Sequence, residues 1–229
     1  MTPKEIPTQD PRDKQKFVFH ETLIRKTAIV VIGTFLKAFI VMKVEGVENL
    51  PRQGACIIAS NHLSNFDVFP MQLALPRPLF FMGKAELFKN PLMGWVFRQL
   101  GGFPVQRGVS DQWALAHARK VLDKGLILAM FPEGTRALNR GLSVAKTGAA
   151  RLAIEKDVPI IPFAHHGSDK LFTRFPHRSD VHLIVSPPIF PGVDDDPLSL
   201  TDRMMFTLAS NLPQQMRGAY SDLPAGFKI

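Results

Sequence analysis

The sequence predicts an α/β fold in which a mostly parallel central sheet is flanked by helices. Several short, nearly continuous apolar runs are typical of strands that are covered on both faces. Segments with helical periodicity lie between these runs, and this alternation favours parallel strands joined by helical crossovers. The chain has 229 residues, of which 45% are hydrophobic and 21% charged, so one globular α/β domain with a full core is expected.

The N-terminal part, residues 1–43, is predicted to hold a tail and a membrane-associating helix, and the α/β domain to occupy residues 44–229. Residues 1–16 are polar and contain proline, so a loosely ordered tail is expected. A helix is expected over residues 17–37. The apolar stretch 27–42 has basic residues on both sides and is shorter than the ~18–20 residues of a membrane span, which favours a helix lying in the membrane interface.

Two alternatives to the interfacial helix are open: a spanning helix, which the short stretch allows only with strain, and a helix packed on the domain core. The apolar segment 88–97 is expected in the core, with an acyl channel or a membrane contact as the alternatives. In the interfacial interpretation, the side chains that enter the lipid are Phe35, Phe39, Ile40 and Val41.

The remaining elements follow in order along the chain. An edge strand is expected at residues 43–49, where polar and apolar residues alternate before a Leu-Pro pair. The apolar runs expected to form the other strands span residues 55–60, 79–84, 102–106, 127–131, 159–164 and 181–185. The helices expected between and after them span residues 66–75, 91–100, 111–124, 146–156 and 198–216.

The composition limits the classes of partner. The net charge of +8 favours anionic partners such as nucleic acids, acidic lipid surfaces and phosphorylated substrates. The chain contains no long run of basic residues and only 1 tyrosine, so no nucleic acid is expected as a partner. Cys56, the single cysteine, lies in an apolar run and is expected to be a buried core residue, which excludes a disulfide within the chain and a thiolate metal cluster.

Two polar clusters each follow an apolar run. His62 and Asp67 come after the run 55–59, and residues 131–136, Phe-Pro-Glu-Gly-Thr-Arg, come after the run 126–130. Because the carboxyl ends of parallel strands meet at one edge of a sheet, we expect both clusters to contribute to one site. A histidine takes and returns a proton at neutral pH and a carboxylate holds its tautomer, so the pair is a candidate general base with its partner.

The spacing of His62 and Asp67 predicts where each residue lies. Five residues correspond to about 500° in a continuous helix, roughly 140° away from a shared face, so the two meet only if His62 lies in a loop before the helix. Ser64 or Asn65 is a suitable N-cap, which would place Asp67 in the first helical turn, where negative charge is favoured. Asn61 is expected to tie down the loop backbone, with a plain turn residue as the alternative.

Three cations are candidates to bind a phosphate group. Lys84 and Arg107 lie at, or just after, the ends of two expected strands, with solvated surface positions as the alternative. Arg136 can bind a phosphate through two N–H groups or pair with Glu133 inside the loop, and both possibilities are open. Glu133 is expected to anchor donors of the site rather than to act as the base, and Gly134 to permit a tight turn beside a ligand.

The neighbouring histidines His165 and His166 resemble a pair of metal ligands. Adjacent residues on a strand point to opposite faces, and the sequence offers no second cluster to complete such a site, so no metal is expected. The chain also lacks the Gly-x-Ser-x-Gly pattern of a nucleophilic serine, which disfavours a serine acyl-enzyme.

The clusters also resemble those of a known family. Four segments occur in the order found in the glycerophospholipid acyltransferases, most closely the 1-acylglycerol-3-phosphate acyltransferases, and the resemblance covers roughly residues 45–190. A lone His-x4-Asp pattern is a weak signal, whereas four segments in order are a strong one. The segments are His-x4-Asp at 62–67, Gly-Gly-Phe-Pro-Val-Gln-Arg at 101–107, Phe-Pro-Glu-Gly-Thr-Arg at 131–136 and Val-Pro-Ile-Ile-Pro-Phe at 158–163.

The resemblance implies an enzyme that moves a fatty acyl group from a thioester, acyl-CoA or acyl-carrier protein, to the free hydroxyl of 1-acylglycerol-3-phosphate, giving phosphatidic acid. It implies that His62 is the general base, with Asp67 as its partner and Asn61 in support. It implies no cofactor and no metal, because the thioester is itself the activated group. It also implies a membrane surface as a partner, expected at the cytoplasmic face of the cell membrane. The residues implied in substrate binding are Lys84, Arg107, Glu133, Gly134, Thr135 and Arg136.

Three alternatives stay open. The acceptor can be glycerol-3-phosphate or another lyso-lipid, since the segment 101–107 lacks the acidic residue that commonly precedes the arginine in the family. A non-catalytic peripheral lipid-binding protein is the second alternative, although a pure binder has no need of both His62 and Asp67. A thioesterase or lipid hydrolase is the third, although the three cations favour an acceptor that carries a phosphate.

Overall fold

The computed structural model describes residues 10–108, 111–137, 140–170, 176–225 and 227. In chain order its strands are β1 (Ile40–Glu45), β2 (Cys56–Ser60), β3 (Leu79–Lys84), β4 (Gly102–Val105), β5 (Ile127–Met130), β6 (Ile160–His166) and β7 (Ser179–Val185). Its α-helices are α1 (Leu23–Leu36), α2 (Val68–Ala74), α3 (Pro91–Gln99), α4 (Gln112–Asp123), α5 (Gly148–Lys156) and α6 (Pro197–Ser210).

These strands form one 7-stranded sheet, in the order β1-β7-β6-β2-β5-β3-β4. Every neighbouring pair is parallel except β6 and β7, which are antiparallel. Strands β2 to β6 therefore all run in one direction, and their carboxyl ends lie at one edge of the sheet, which we call the site edge. The predicted α/β fold with a mostly parallel sheet flanked by helices is confirmed.

The helices cover both faces of the sheet. On one face α1, α2 and α3 pack over side chains such as Cys56 and Ile58, and on the other face α4, α5 and α6 pack over Ile57 and Ala59. Successive residues of a strand point to opposite faces, so β2 is buried on both faces and its sequence is a continuous apolar run. Cys56 is buried, as predicted, and burial raises the pKa of its thiol to about 12.

The first strand begins earlier than the sequence predicts. Instead of the edge strand expected at 43–49, the structure has β1, which starts at Ile40 and pairs along its length with β7. Ile40 is only 3% exposed, so the expectation that its side chain enters the lipid is wrong. The division expected between residues 43 and 44 falls inside this strand.

The N-terminal tail is held against the domain from residue 10 onward. Arg12 donates to both carboxylate oxygens of Asp111, at 2.6 and 2.9 Å, and its guanidinium lies 4.3 Å from a ring centroid of Trp113. The expectation of a loosely ordered tail is therefore wrong for residues 10–16, and residues 1–9 lie outside the described part. The reason is a specific ion pair, which composition does not show.

Helix α1 is attached to the domain by a buried arginine. The helix begins at Leu23 rather than near residue 17, because the Thr22 hydroxyl accepts the Arg25 backbone N–H and caps it. The buried Arg25 guanidinium donates to Gln72 Oε1 at 2.9 Å and to the Leu79 carbonyl. Burial lowers the pKa of Arg25 to about 10. The inner face of α1 is therefore packed on the domain, which was the alternative to a purely interfacial helix.

The last helix is shorter than predicted. Helix α6 ends at Ser210, and residues 214–216 form a separate short turn instead of continuing the helix to residue 216. Pro213 explains the end, because a proline disfavours helical backbone at the residue before it and has no N–H to donate.

Candidate active site

The His62 and Asp67 side chains meet at the end of β2. His62 lies in the loop after the strand, and its Nδ1 is 2.9 Å from Asp67 Oδ2. The imidazole stacks on Phe131, with ring centroids 4.2 Å apart. Helix α2 begins only at Val68, so the N-cap expected at Ser64 or Asn65 is wrong, and Asp67 itself occupies that position without capping the helix through its side chain. The Asp67 carboxylate faces the loop instead.

Asp67 accepts four hydrogen bonds and is fully buried. Its Oδ2 accepts the His62 Nδ1–H and the backbone N–H groups of Leu63 and Ser64, at 2.7 and 2.9 Å for the backbone donors. Its Oδ1 accepts the Ser168 hydroxyl at 2.8 Å. Burial alone would raise the pKa of Asp67, but the nearby histidines and these donors outweigh it and hold the pKa below its ordinary value. The carboxylate is therefore ionised and fixed in orientation.

A second histidine lies behind Asp67, and sequence reasoning did not assign it to the site. His165, near the end of β6, is 1% exposed, and its Nδ1 lies 3.1 Å from the Ser168 hydroxyl that reaches Asp67. Its neighbour His166 points the other way and stacks on His182, with ring centroids 4.6 Å apart. Among the described residues no group of three or more His, Cys, Asp or Glu side chains is placed to hold a metal ion.

Asn61 ties the loop to β6, as expected of it. Its side-chain N–H donates to the His165 carbonyl at 2.8 Å, and its side-chain oxygen accepts the His165 backbone N–H at 2.9 Å. This pair of bonds continues the β2–β6 pairing past Ser60, the last residue of β2. The loop that carries His62 therefore starts from a rigid point.

Glu133 anchors backbone donors of the site. Ala59 and Met130 are register partners in β2 and β5, and His62 and Glu133 each lie 3 residues beyond them. Glu133 Oε1 accepts the His62 backbone N–H at 3.2 Å, and Oε2 accepts the Ser143 backbone N–H at 2.9 Å. Burial raises the pKa of Glu133 above its ordinary value. With both oxygens used in this way, the carboxylate acts as a brace between two loops.

The cations expected at the site lie at the same edge but in different surroundings. Arg107, just after β4, lines a cleft of about 190 Å³ together with Gly134, Lys146 and Phe131. Lys84 is the register partner of Val105, two residues before Arg107, but it is exposed and makes an ion pair with Glu86 at 3.6 Å.

The turn after Glu133 has two exposed side chains. Thr135 and Arg136 both point to solvent, and neither lines the 190 Å³ cleft. Gly134 has a φ of +67°, and a Cβ there would lie 3.2 Å from the Lys146 side chain, so the turn requires glycine at this position. Lys146, which sequence reasoning interpreted only as part of a helix start, is thereby brought into the cleft.

Two clefts lie at the site edge near His62, and His62 itself lines neither of them. Phe131, on which the imidazole stacks, lines the smaller one. Asn61 and Leu63, the neighbours of His62 in sequence, line a larger cleft of about 710 Å³ on the β6–β7 side. A general base at this edge of the sheet is placed beside the clefts that can hold substrates.

Comparisons with known proteins identify a family. A sequence model of the family described as Acyltransferase matches residues 41–166. A 1-acyl-sn-glycerol-3-phosphate acyltransferase of Brassica napus chloroplasts is 29% identical over 190 residues, which are 80% of this chain and 54% of that protein. The Bacillus subtilis protein of the same name is 30% identical over 149 residues, 65% of this chain and 73% of that protein. The chain spans about half the length of the plant relatives it matches, 54% and 50% in the two cases.

A solved structure shares the fold. The crystal structure of PlsC, the 1-acyl-sn-glycerophosphate acyltransferase of Thermotoga maritima, matches with a TM-score of 0.65 and 28% identity and covers 80% of this chain and 78% of that chain. The resemblance found in the motifs is confirmed. Because the family match spans more than half of the chain and encloses β2 to β6 with the whole His62–Asp67 loop, this chain belongs to the acyltransferase family.

Proposed function

We propose that this protein transfers a fatty acyl group from a thioester donor to the free hydroxyl of 1-acylglycerol-3-phosphate and so forms phosphatidic acid. The observation that carries the proposal is the His62–Asp67 pair, held by buried hydrogen bonds at the edge of the sheet where two clefts open beside it. A histidine paired in this way with an ionised carboxylate is a suitable general base for acyl transfer. The names of the curated relatives support the choice of acceptor.

In the proposed reaction His62 is the general base. Its Nδ1–H donates to Asp67, so Nε2 carries the lone pair that takes the proton of the acceptor hydroxyl. The hydroxyl oxygen bonds to the thioester carbonyl carbon, the carbon–sulfur bond breaks, and the thiolate leaves with the proton that His62 returns. Asp67 fixes the ring and stabilises the imidazolium. General-base catalysis of this kind contributes about 10²–10⁴-fold to the rate.

The smaller cleft suits the phosphate of the acceptor. Arg107 and Lys146 line it, and so do Gly148 and Ala149 at the N-terminus of α5, where the helix dipole favours an anion. A phosphate monoester carries about −1.5 to −2 charge near pH 7 and would offset the repulsion between the two cations. Lys84 and Arg136 are proposed to add positive charge at the rim of this cleft, and Glu133, Gly134 and Thr135 to shape the adjacent turn.

The proposed partner surface is a membrane. Within the described residues, no helix is both long enough and apolar enough to cross a bilayer. The face that carries α1, α2 and α3 nevertheless exposes most of the large apolar side chains that are exposed in the described part of the chain. Two exposed lysines lie at helix α1: Lys26 lies within the helix and Lys37 directly follows it. On this face the exposed apolar side chains are Leu23, Ile24, Val30, Val31, Phe35, Phe66, Leu92, Met93 and Trp95.

We therefore propose that this face rests on the lipid while Arg25 keeps α1 attached to the domain. Apolar side chains beside basic ones are the composition of an interfacial surface, and anionic lipids would attract the basic chain. The cytoplasmic face of the cell membrane, which carries such lipids, is the proposed location.

The test of the proposed function is an acyl-transfer assay with a panel of acceptors. 1-Acylglycerol-3-phosphate, glycerol-3-phosphate and a lysophospholipid without a phosphate monoester are each offered with acyl-CoA and with acyl-carrier protein, and the products are identified by mass spectrometry. We expect phosphatidic acid from 1-acylglycerol-3-phosphate at the highest kcat/KM. Product from another acceptor alone would reassign the acceptor, free fatty acid alone would indicate a thioesterase, and lipid binding without any product would indicate a non-catalytic binder.

A further inference from the structure

A buried serine and a buried histidine stand behind the His62–Asp67 pair. Ser168 is 0% exposed, and its hydroxyl oxygen lies 2.8 Å from Asp67 Oδ1 and 3.1 Å from His165 Nδ1. The His165 side chain is also 0% exposed, and its Nε2 lies 2.9 Å from the Asn61 backbone carbonyl oxygen. Four groups thus form one continuous chain of contacts, from the Asn61 carbonyl through His165 and Ser168 to Asp67.

The positions of the hydrogens along this series of four contacting groups follow from which atoms can donate and which can accept. A carbonyl oxygen only accepts, so the contact with Asn61 requires a hydrogen on His165 Nε2. In a neutral imidazole the other nitrogen, Nδ1, is then an acceptor. Ser168 has one hydroxyl hydrogen and two acceptors beside it, His165 Nδ1 and the Asp67 carboxylate.

The shorter contact and the charged acceptor decide where that hydrogen points. A hydrogen bond to a carboxylate is stronger than one to a neutral nitrogen, so the Ser168 hydroxyl donates to Asp67. His165 Nδ1 is then left facing an oxygen without a hydrogen between them, and no solvent reaches this buried place to replace it. Asp67 thereby gains its fourth donor.

We propose that Ser168, which His165 contacts from behind, is a positioning residue that sets the charge which Asp67 presents to His62, and thereby the pH range in which His62 accepts a proton. The inference deepens the proposed function and rests on it for the role of His62. Three other donors already hold Asp67 Oδ2, whereas Ser168 is the donor on Oδ1. Through that bond Ser168 withdraws electron density from the carboxylate without touching the substrates.

The direction of the effect follows from the groups that surround the base. The His62 ring contacts the Asp67 carboxylate, the His62 backbone N–H donates to the Glu133 carboxylate, and the His165 ring lies nearby. His165 in turn faces Asp67, with Asp169 and His166 nearby. Loss of the Ser168 hydroxyl leaves more negative charge on Asp67, which favours the protonated form of its partner His62. More base is then in the inactive, protonated form at a given acidic pH.

The test is the pH profile of kcat/KM for Ser168→Ala, Ser168→Thr and a control, Ser186→Ala. Ser186 is 2% exposed and also loses one hydrogen bond, from Asn211, but it follows the carboxyl end of the antiparallel strand β7 and so lies away from the site edge. The acid limb of Ser168→Ala should move to higher pH by about 0.5–1 unit, the equivalent of one ordinary hydrogen bond. Ser168→Thr, which keeps the hydroxyl, and Ser186→Ala should keep the wild-type limb.

A folded Ser168→Ala protein with the wild-type acid limb would overturn the proposal, and so would an equal shift in Ser186→Ala. A second measurement needs no variant and no substrate. Burial lowers the pKa of His165, so ¹⁵N spectra of the intact protein should show its ring neutral at neutral pH, with the hydrogen on Nε2. A protonated ring or an Nδ1–H tautomer would overturn the proton arrangement. If instead the wild-type protein acylates no acceptor, the proposed function fails, while the ¹⁵N spectra still test the proton arrangement.

Discussion

Replacing Glu133 by glutamine separates an anchoring role from a catalytic one. Glu133 is 4% exposed, and its two oxygens accept the backbone N–H groups of His62, at 3.2 Å, and Ser143, at 2.9 Å. Glutamine has one carbonyl oxygen, so its NH₂ group must face one of these donors. The variant therefore loses one hydrogen bond to a charged acceptor and leaves one N–H donor without a partner.

The lost bond is worth about 1.5–3 kcal/mol. Burial raises the pKa of Glu133, which means that its surroundings disfavour the charge, so removing that charge offsets part of the loss. We expect the free energy of unfolding to fall by about 1–2 kcal/mol, which lowers Tm by about 2–8 °C in a chain of this size. Because one of the donors belongs to His62, displacement of the imidazole should also lower kcat by about 10–100-fold.

The assay combines a thermal melt and steady-state kinetics on the same preparation, with the exposed Glu48→Gln variant as the control. Wild-type Tm together with wild-type kcat in Glu133→Gln would refute the reasoning. A loss of kcat above about 10⁴-fold at unchanged Tm would refute it in another way, because a loss of that size with an intact fold would assign Glu133 the role of the base.

Three further outcomes are expected. Arg107→Ala should raise the KM for 1-acylglycerol-3-phosphate by about 10–150-fold, because the lost contact is charge-assisted, and should leave the KM for the acyl donor unchanged. An acceptor KM equal to that of the wild type would mean that the phosphate binds elsewhere. Arg12→Ala removes the two side-chain N–H groups that Arg12 donates to Asp111, and Asp111 also accepts the Gln106 backbone N–H beside Arg107. The variant should therefore have a lower Tm and a higher KM for the acceptor at nearly constant kcat. An unchanged acceptor KM would show that the tail does not hold this loop in place. Val31 on α1 is 62% exposed, and Val31→Glu should reduce co-sedimentation with anionic vesicles without changing Tm. The control is Val193→Glu, at another exposed valine. If both variants sediment equally well, α1 is not a lipid contact.

The strands around the site could be predicted from the sequence because local residues determine them. Strands β2 to β7 lie within two residues of the apolar runs that predict them. Strands such as β2 are covered on both faces and need apolar residues throughout, whereas β7 buries alternate residues. The His62–Asp67 contact was predictable for a similar reason, because the two residues are close in sequence and their spacing lets them meet only if His62 lies in the loop before the helix.

Features that depend on distant partners could not be predicted in the same way. Strand β1 is defined by its pairing with β7, and the tail by the bond from Arg12 to Asp111, which is 99 residues away. His165 was missed because two adjacent histidines suggest metal ligands, whereas its role depends on β6 lying beside β2. One feature could have indicated its role: His165 follows the apolar run of β6, and it lies two residues beyond Phe163, the register partner of Ser60 just before the His62 loop.

The measurement that tests the central claim most directly is the formation of phosphatidic acid by the His62→Ala protein, compared with the wild type and with His20→Ala, whose histidine is exposed. All three proteins are purified, shown to melt cooperatively, and given 1-acylglycerol-3-phosphate with the preferred thioester donor. We expect equal rates for the wild type and His20→Ala and a rate about 10²–10⁴-fold lower for His62→Ala, with binding of acceptor and vesicles retained. A folded His62→Ala protein that forms phosphatidic acid at the wild-type rate would contradict this claim.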